Sequence, residues 1–193
     1  MILSQASKKG PLARYTDAHL FVALSIIHEE GTISRGDLAE KLGLGEGSTR
    51  RILNTMETWK QIETSRRGVS LTALGEETVR SIPLLFVNIS SDRYVKGLHQ
   101  QGILIKHMAD KIRDGMFQRD TGIRYGSDGA SVFIMVNGKI IFPKDYDVDL
   151  EDPEFAAKIR SIGMEEGDVL VIAGSDDPTT SMISVAGIGL AMI

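Results

Sequence analysis

The sequence contains no cysteine, and this absence excludes a disulfide framework, thiolate metal ligands, iron–sulfur clusters and a cysteine nucleophile. Aromatic residues account for only 6% of the 193 positions, and 22 basic against 26 acidic side chains leave a net charge of -4. The chain therefore lacks a strongly basic body, and any contact with nucleic acid must be local. Its first residues lack the apolar middle of a signal peptide, so we expect a cytoplasmic protein.

A long hydrophobic run is also missing. The longest uncharged stretch, residues 178–193, has 16 residues. A membrane-spanning helix needs roughly 20, so we expect no membrane association. The stretch is predicted to be a buried helix or a terminal strand, and its small residues would allow close packing against a partner.

Motifs of catalysis are absent as well. None of the four histidines stands in a His-Glu-x-x-His pattern, and no phosphate-binding Gly-x-x-x-x-Gly-Lys loop occurs. The stretch 186–191 lies too close to the chain end to form a dinucleotide fingerprint. The sequence therefore predicts no catalytic residue, no metal ligand and no cofactor.

The pattern of the chain changes near residues 81–83, which predicts two domains. Residues 1–82 show helical spacing with short turns, and their 11 basic and 10 acidic side chains give a net charge of +1. Residues 83–193 alternate β-branched runs with helical stretches, and their 11 basic and 16 acidic side chains give a net charge of -5. We expect an α/β or α+β fold in this second part.

Residues 1–82 follow the element order of a winged helix. Capping residues and helical spacing predict three helices, and a tight turn joins the last two as a helix-turn-helix, with the third over residues 48–59. Two short strands then surround residues 66–68 as a hairpin, which is predicted to be the wing. Thr72 is expected to cap a fourth helix.

Four segments carry a resemblance to a known fold: residues 37–44, 50–53, 62–63 and 71–75. They resemble the winged-helix fold of prokaryotic transcription regulators, and the resemblance implies a DNA-binding protein. One departure is Lys60, because such proteins usually carry glycine at this position, where the third helix ends. A lysine there must tolerate an unusual backbone.

The candidate DNA-binding residues are polar or basic side chains of the third helix and the hairpin. Arginine can pair with two acceptors on guanine and asparagine with adenine, while hairpin arginines can meet phosphates or a minor groove. Glu46 is unfavourable for DNA binding, because a carboxylate at the helix start repels phosphates unless it faces a cytosine amino group. The predicted contacts are Ser48, Arg50, Arg51, Asn54, Lys60, Arg66 and Arg67.

Two alternatives apply to these charges. They could simply solvate a surface, and a winged helix can also serve as a contact module for another protein. A basic N-terminal arm could add to the DNA contact through Lys8, Lys9 and Arg14.

Spacing in the second part predicts several regular elements. Met108, Ile112 and Met116 are spaced as one face of a charged helix. Residues 131–136 and 139–142 flank Asn137-Gly138, the strongest two-residue signal for a hairpin turn.

Two Gly-Ser-Asp loops occur in this part, at residues 126–128 and 174–176. The second loop directly follows residues 169–173, an apolar strand predicted to be central, and Asp177 would cap the next helix. Ligands commonly bind at such strand ends in α/β proteins, and adjacent aspartates favour hydroxyl groups, a cation or a basic group. Unless they serve only in turn formation and capping, the candidate ligand-binding residues are Ser175, Asp176 and Asp177.

A second resemblance covers most of the chain, and it rests on residues 118–120, 123–124, 126, 129–130, 138–139 and 171–177. These segments resemble an archaeal family with an N-terminal winged helix and a C-terminal domain of uncharacterised function. The resemblance implies a transcription regulator but names no ligand. Unless they form a charged helix face with internal salt bridges, the further ligand-binding candidates, by resemblance alone, are Gln118, Arg119, Asp120 and Arg124.

These patterns favour a DNA-binding transcription regulator, with residues 1–82 as the winged helix. Residues 83–193 would sense a small ligand, dimerise, or do both. The expected partners are double-stranded DNA, a second copy of the chain and an unidentified small-molecule effector. Two alternatives stay open: a small-molecule enzyme with an accessory winged helix, and a protein-assembly module.

Overall fold

The computed structural model describes residues 15–143 and 145–193 of the chain. It divides into two compact units, Met1–Ile82 and Pro83–Ile193. The division falls at the residues where the sequence pattern changes. The predicted N-terminal arm of Lys8, Lys9 and Arg14 lies outside the described residues.

The first unit contains four helices and one hairpin in its described residues, in the predicted order. The elements are α1 (Asp17–Glu30), α2 (Arg35–Lys41), α3 (Glu46–Thr58), β1 (Ile62–Ser65), β2 (Gly68–Leu71) and α4 (Ala73–Ser81). Thr16 and Ser34 stand at the N-caps of α1 and α2, and Thr72 caps α4, as their sequence positions predict. Helix α3 begins two residues earlier than its apolar spacing suggests, directly after Gly45.

The core of the first unit consists of apolar side chains from all three leading helices. Phe21, Leu38 and Met56 represent α1, α2 and α3 in this core, and each is almost completely buried. Ile33, just before α2, forms a β-bridge with Val69 of the hairpin. This bridge fixes the hairpin to the helical body of the unit.

The second unit is built around one six-stranded sheet. Its elements are β3 (Leu84–Val87), β4 (His99–Ile105), a 3₁₀ turn (Ala109–Lys111), α5 (Met116–Arg124), β5 (Gly129–Val136), β6 (Lys139–Phe142), β7 (Tyr146–Asp147), α6 (Val148–Glu151), α7 (Pro153–Ser161), β8 (Val169–Ser175) and α8 (Pro178–Leu190). The hairpin at residues 137–138 forms as predicted, and both of its residues have positive φ, as a two-residue hairpin turn requires.

The strands of this sheet run in the order β3-β4-β8-β5-β6-β7, and every neighbouring pair is antiparallel. Strand β8 lies inside the sheet and all seven of its residues are buried, so the prediction of a central covered strand is confirmed. Leu170 and Ile172 pack with α7, whereas α5 and α8 cover the opposite face. The fold class is the expected mixed α+β, with a helical region followed by a sheet domain.

The predicted helix through Met108, Ile112 and Met116 is wrong. The chain makes only a 3₁₀ turn at Ala109–Lys111, and Ile112 then has an extended backbone. Helix α5 begins at Met116, after Gly115 with φ of 73°, a left-handed conformation that ends one segment and starts the next. The three apolar residues therefore do not share a helical face.

The uncharged end of the chain forms helix α8, so the terminal strand is the wrong alternative of the two. Eight of its residues are buried. A Cβ on Gly187 would stand 2.3 Å from the Tyr125 ring, and one on Gly189 would stand 2.9 Å from Leu84. The small residues thus allow close packing inside the unit itself. None of the helices in the described residues is long and apolar enough to span a membrane.

Candidate nucleic-acid interface

Helix α3 presents one polar face because its apolar residues all point inward. Ile52, Leu53 and Met56 are buried against the other helices of the first unit. With about 100° of rotation per residue, this leaves Arg50, Asn54 and the residues around them on the outer side of the helix. Both of these side chains are exposed.

Three side chains follow one another along this face at intervals of four residues: Glu46, Arg50 and Asn54. We call this row the α3 stripe. It lines a groove of 340 Å³ that also receives residues from α2 and from β1. The structure therefore brings Arg50 and Asn54 together, as the DNA-binding prediction requires.

The other two predicted residues of α3 are placed differently. Arg51 is exposed but points about 100° around the helix axis from Arg50, and it does not line the groove. Ser48 is half-buried and lies about 160° from Arg50, on the other side of the helix. Ser48 therefore does not join the stripe, because its position two residues before Arg50 is incompatible with helical periodicity on one face.

The hairpin β1–β2 carries Arg66 and Arg67 at its two-residue tip, and both are exposed. The Ser65 hydroxyl accepts a hydrogen bond from the Arg67 amide at 3.1 Å and so orders the tip. Closer to the helix, the Thr64 hydroxyl donates to Glu57 at 2.5 Å. This bond joins the hairpin directly to α3.

Lys60 has φ of 57°, so the unusual backbone expected from its glycine-like position is present. Two hydrogen bonds hold this conformation: the Lys60 amide donates to the Glu57 carbonyl at 2.9 Å, and the Thr72 hydroxyl donates to the Lys60 carbonyl at 2.6 Å. The side chain itself is exposed and available for contact.

The basic side chains of the first unit differ in whether they have acidic partners. Lys41 pairs with Glu30 and Arg80 with Glu76. Among the described residues, by contrast, no ion pair or side-chain hydrogen bond involves six exposed basic side chains: Arg35, Arg50, Arg51, Lys60, Arg66 and Arg67. Arg35 lies on α2, Arg50 and Arg51 on α3, Lys60 two residues after the end of α3, and Arg66 and Arg67 at the hairpin tip. Of these six, Arg35 and Arg50 line the groove.

Arg35 is a further residue of the groove, which the sequence pattern alone does not indicate. It is the first residue of α2 and it lines the groove together with Arg50. The available signal was its place directly after the capping Ser34, which exposes it at a helix start. Its proximity to the α3 stripe depends on the packing of two helices and is not visible in the sequence.

The ligand-binding candidates on α5 do not form one cluster. Gln118 is buried, with its amide nitrogen 3.6 Å from the Met192 sulfur. Arg119 donates twice to its neighbour Asp120, at 3.2 and 3.0 Å, and both are exposed. Arg124 donates to Thr121 at 2.8 Å. Arg119–Asp120 is an ion pair within the helix, whereas the partner of Arg124 is a hydroxyl group.

The second Gly-Ser-Asp loop is occupied by its own hydrogen bonds. Ser175 is buried and its hydroxyl donates to the Asp177 carbonyl at 2.6 Å. Asp177 caps α8 by accepting from the amide and the hydroxyl of Thr180, and these bonds lower the pKa of its carboxyl group. Asp176 and Asp177 are both exposed, and neither forms an ion pair in the described part of the chain.

The sheet topology removes the physical argument for a ligand site at this strand end. Because β8 is antiparallel to both neighbours, its carboxyl end lies beside the start of β4 and of β5. The two Gly-Ser-Asp loops meet here, since the Asp128 amide donates to the Gly174 carbonyl at 2.8 Å. A crevice between carboxyl ends of parallel strands does not exist in this sheet.

Comparison with known proteins identifies the second unit. A family described as "Domain of unknown function (DUF4443)" matches residues 96–192, which is half of the chain. The chain belongs to the DUF4443 family. The matched DUF4443 region includes α5, β8 and α8, whereas α3 and the β1–β2 hairpin lie outside it. No curated protein matches the sequence.

A solved structure shares the fold over most of the chain. "Hypothetical protein PH0730 from Pyrococcus horikoshii OT3" is 24% identical, covers 93% of each chain and superimposes with a TM-score of 0.75. An IclR family transcriptional regulator from Brucella abortus is 9% identical over 98% of this chain and 97% of that one, with a TM-score of 0.29. A TM-score this low does not establish a common fold. The archaeal source of the chain stays a prediction.

Proposed function

We propose that the first unit binds double-stranded DNA and that the chain is a transcription regulator. The observation that carries this proposal is the set of six exposed basic side chains without acidic partners around α3 and the hairpin. Exposed cations without acidic partners attract the phosphate backbone of a nucleic acid. The element order of the first unit supplies a helix for the major groove and a hairpin beside it.

The α3 stripe would read base edges, and the hairpin would hold the backbone. Arg50 can donate two hydrogen bonds to guanine and Asn54 can pair with adenine. Arg66 and Arg67 would contact phosphates or a minor groove, and Lys60 a phosphate beyond the end of α3. Arg51 would contact the backbone, because it projects to one side of the stripe.

The DUF4443 region is proposed to regulate this binding rather than to catalyse a reaction. It would bind a small-molecule effector, join a second copy of the chain, or do both, and thereby change the spacing of two DNA-binding units. Asp176, Arg119 and Arg124 stay candidates for an effector contact, since their side chains are exposed. An enzyme with an accessory winged helix, or an assembly module, is the alternative function.

Fluorescence anisotropy with labelled duplex DNA tests this proposal. The full chain is titrated against DNA from upstream of its own gene and against scrambled DNA, at several salt concentrations. We expect Arg50→Ala to weaken binding to the preferred duplex by about 1–3 kcal/mol. Arg67→Ala should weaken both duplexes equally and lower the salt slope by about one.

Arg80→Ala is the matched control, because Arg80 is an exposed arginine of the same unit that pairs with Glu76 on α4. It should leave DNA binding unchanged. Equal affinities of the wild type, Arg50→Ala and Arg67→Ala for all duplexes would contradict the proposal. Turnover of a substrate, or a metal or nucleotide retained on purification, would favour the alternative of an enzyme with an accessory winged helix.

A further inference from the structure

The first member of the α3 stripe is an acidic residue, in a groove that it shares with the unpaired Arg35 and Arg50. Glu46 is the first residue of α3, it is exposed, and it lines the groove with Arg50 and Asn54. We propose that Glu46 is a specificity-determining residue that selects a cytosine in the major groove. This inference rests on the proposed DNA-binding function and assigns one base of its target.

The carboxylate of Glu46 is free to make such a contact. A glutamate four residues before an arginine on a helix is well placed for an ion pair. Nevertheless, none of the ion pairs or side-chain hydrogen bonds of the described residues joins Glu46 to Arg50 or to any other group. Glu57, the other carboxylate in the groove, differs because it already accepts a hydrogen bond from the Thr64 hydroxyl at 2.5 Å.

The chemistry of a carboxylate determines which base it can face. An ionised glutamate accepts hydrogen bonds and donates none. In the major groove, guanine and thymine present acceptors to it, whereas cytosine presents the N4 amino group as a donor. Adenine offers an amino group too, but the acceptor N7 stands beside it and repels a carboxylate. Cytosine is therefore the base whose amino group can replace the hydrogen bonds that the Glu46 carboxylate loses when water is removed.

The geometry of the stripe places this cytosine close to the base that Arg50 reads. Four residues of α-helix span about 6 Å. Successive base pairs of B-DNA are about 3.4 Å apart, so the two contacts fall within two base pairs of each other. The N-terminal residues of a recognition helix are the ones that reach base edges, and Glu46 opens α3.

Selection from a randomised duplex library tests the assignment. The full-length wild type, Glu46→Gln and Glu46→Asp are each used to enrich duplexes, and dissociation constants are then measured for the preferred duplex and its single-base variants. We expect the wild type to prefer one cytosine by about tenfold over the other bases at that position. Glu46→Gln should lose this preference, because an amide also donates, and should bind scrambled DNA more tightly.

Controls separate the possible outcomes. Glu77→Gln makes the same charge change at an exposed residue of α4 and should keep the cytosine preference. Glu46→Asp, which keeps the carboxylate, should retain a cytosine preference and so exclude misfolding as the cause. If the wild type enriches a sequence and Glu46→Gln enriches the same one equally, the inference about Glu46 is wrong and the proposed function stands. If the wild type enriches no sequence, both are wrong.

Discussion

Asp168 is a fully buried carboxylate in the DUF4443 region, and it forms an ion pair with Lys106. Lys106 contacts it at 2.8 Å, and the amides of His107 and Glu165 donate to it at 3.2 and 2.9 Å. The hydrogen bond to Asp168 raises the pKa of the Lys106 ammonium group. A buried charge with these three donors is satisfied, and removal of any one leaves it short of a partner.

We predict that Lys106→Met lowers the free energy of unfolding by about 1.5–3 kcal/mol, the usual cost of losing a hydrogen bond to a buried charge. Because the pKa of Lys106 is raised in the folded chain, its stabilising effect is complete below the ordinary lysine pKa. The effect is lost only as the pH rises through the higher folded value. Urea denaturation across neutral pH should therefore show a constant difference from the wild type.

Lys139→Met is the matched control for this prediction. Lys139 also contacts an aspartate at 2.8 Å, but its side chain is 58% exposed. Solvent screens such a pair, so its loss should cost much less than the loss of Lys106. Equal destabilisation by the two substitutions would show that the buried position of Asp168 has no special effect.

Another segment of the chain approaches strand β8 closely near its carboxyl end. A Cβ on Gly174 would lie only 2.1 Å from the Lys96 carbonyl oxygen, which is a backbone atom and cannot rotate away. Gly129 lies directly opposite Gly174 in the neighbouring strand, and a Cβ there would meet nothing within 4 Å. The two glycines therefore offer a matched pair of positions.

We predict that Gly174→Ala destabilises the chain by about 3 kcal/mol, because the added methyl group displaces the segment around Lys96. Gly129→Ala should change stability much less, since its methyl group has space. Thermal unfolding followed by circular dichroism compares the two variants. A Gly174→Ala variant that unfolds at the wild-type temperature would refute the packing argument.

Short sequence patterns were sufficient to predict most helices and strands of the chain. Capping residues gave the starts of α1, α2 and α4, and the Asn137-Gly138 pair gave the β5–β6 hairpin. They failed at residues 108–116, where three apolar residues have helical spacing but Gly115 takes a left-handed conformation. A spacing pattern cannot reveal that a glycine interrupts it, because the conformation of Gly115 is set by the surrounding fold.

The candidate interface was partly predictable for the same reason. Arg50 and Asn54 share a face because they are four residues apart, whereas Ser48, two residues before Arg50, lies on the other side of the helix. Arg35 and the Thr64–Glu57 bond depend on contacts between elements that are distant in sequence. The antiparallel order of the sheet, which removes the crevice expected near Ser175, was equally invisible.

The charges of the whole chain are divided unevenly between its two units. The first unit has a net charge of +1 and the second of -5, by count over the sequence. DNA binding would therefore depend on the local surface around α3 and should fall steeply with added salt. The DUF4443 region, which carries the excess of acidic residues, would repel a phosphate backbone.

The most direct test of DNA reading by the first unit is the specificity ratio of the wild-type chain. Its dissociation constant is measured by anisotropy at physiological salt, for the duplex enriched from a random library and for a scrambled duplex of equal composition. We predict a ratio of about 10³ or more, as is typical of specific DNA-binding proteins. Failure to enrich any duplex, or a ratio near one, would contradict the assignment of α3 as a recognition helix.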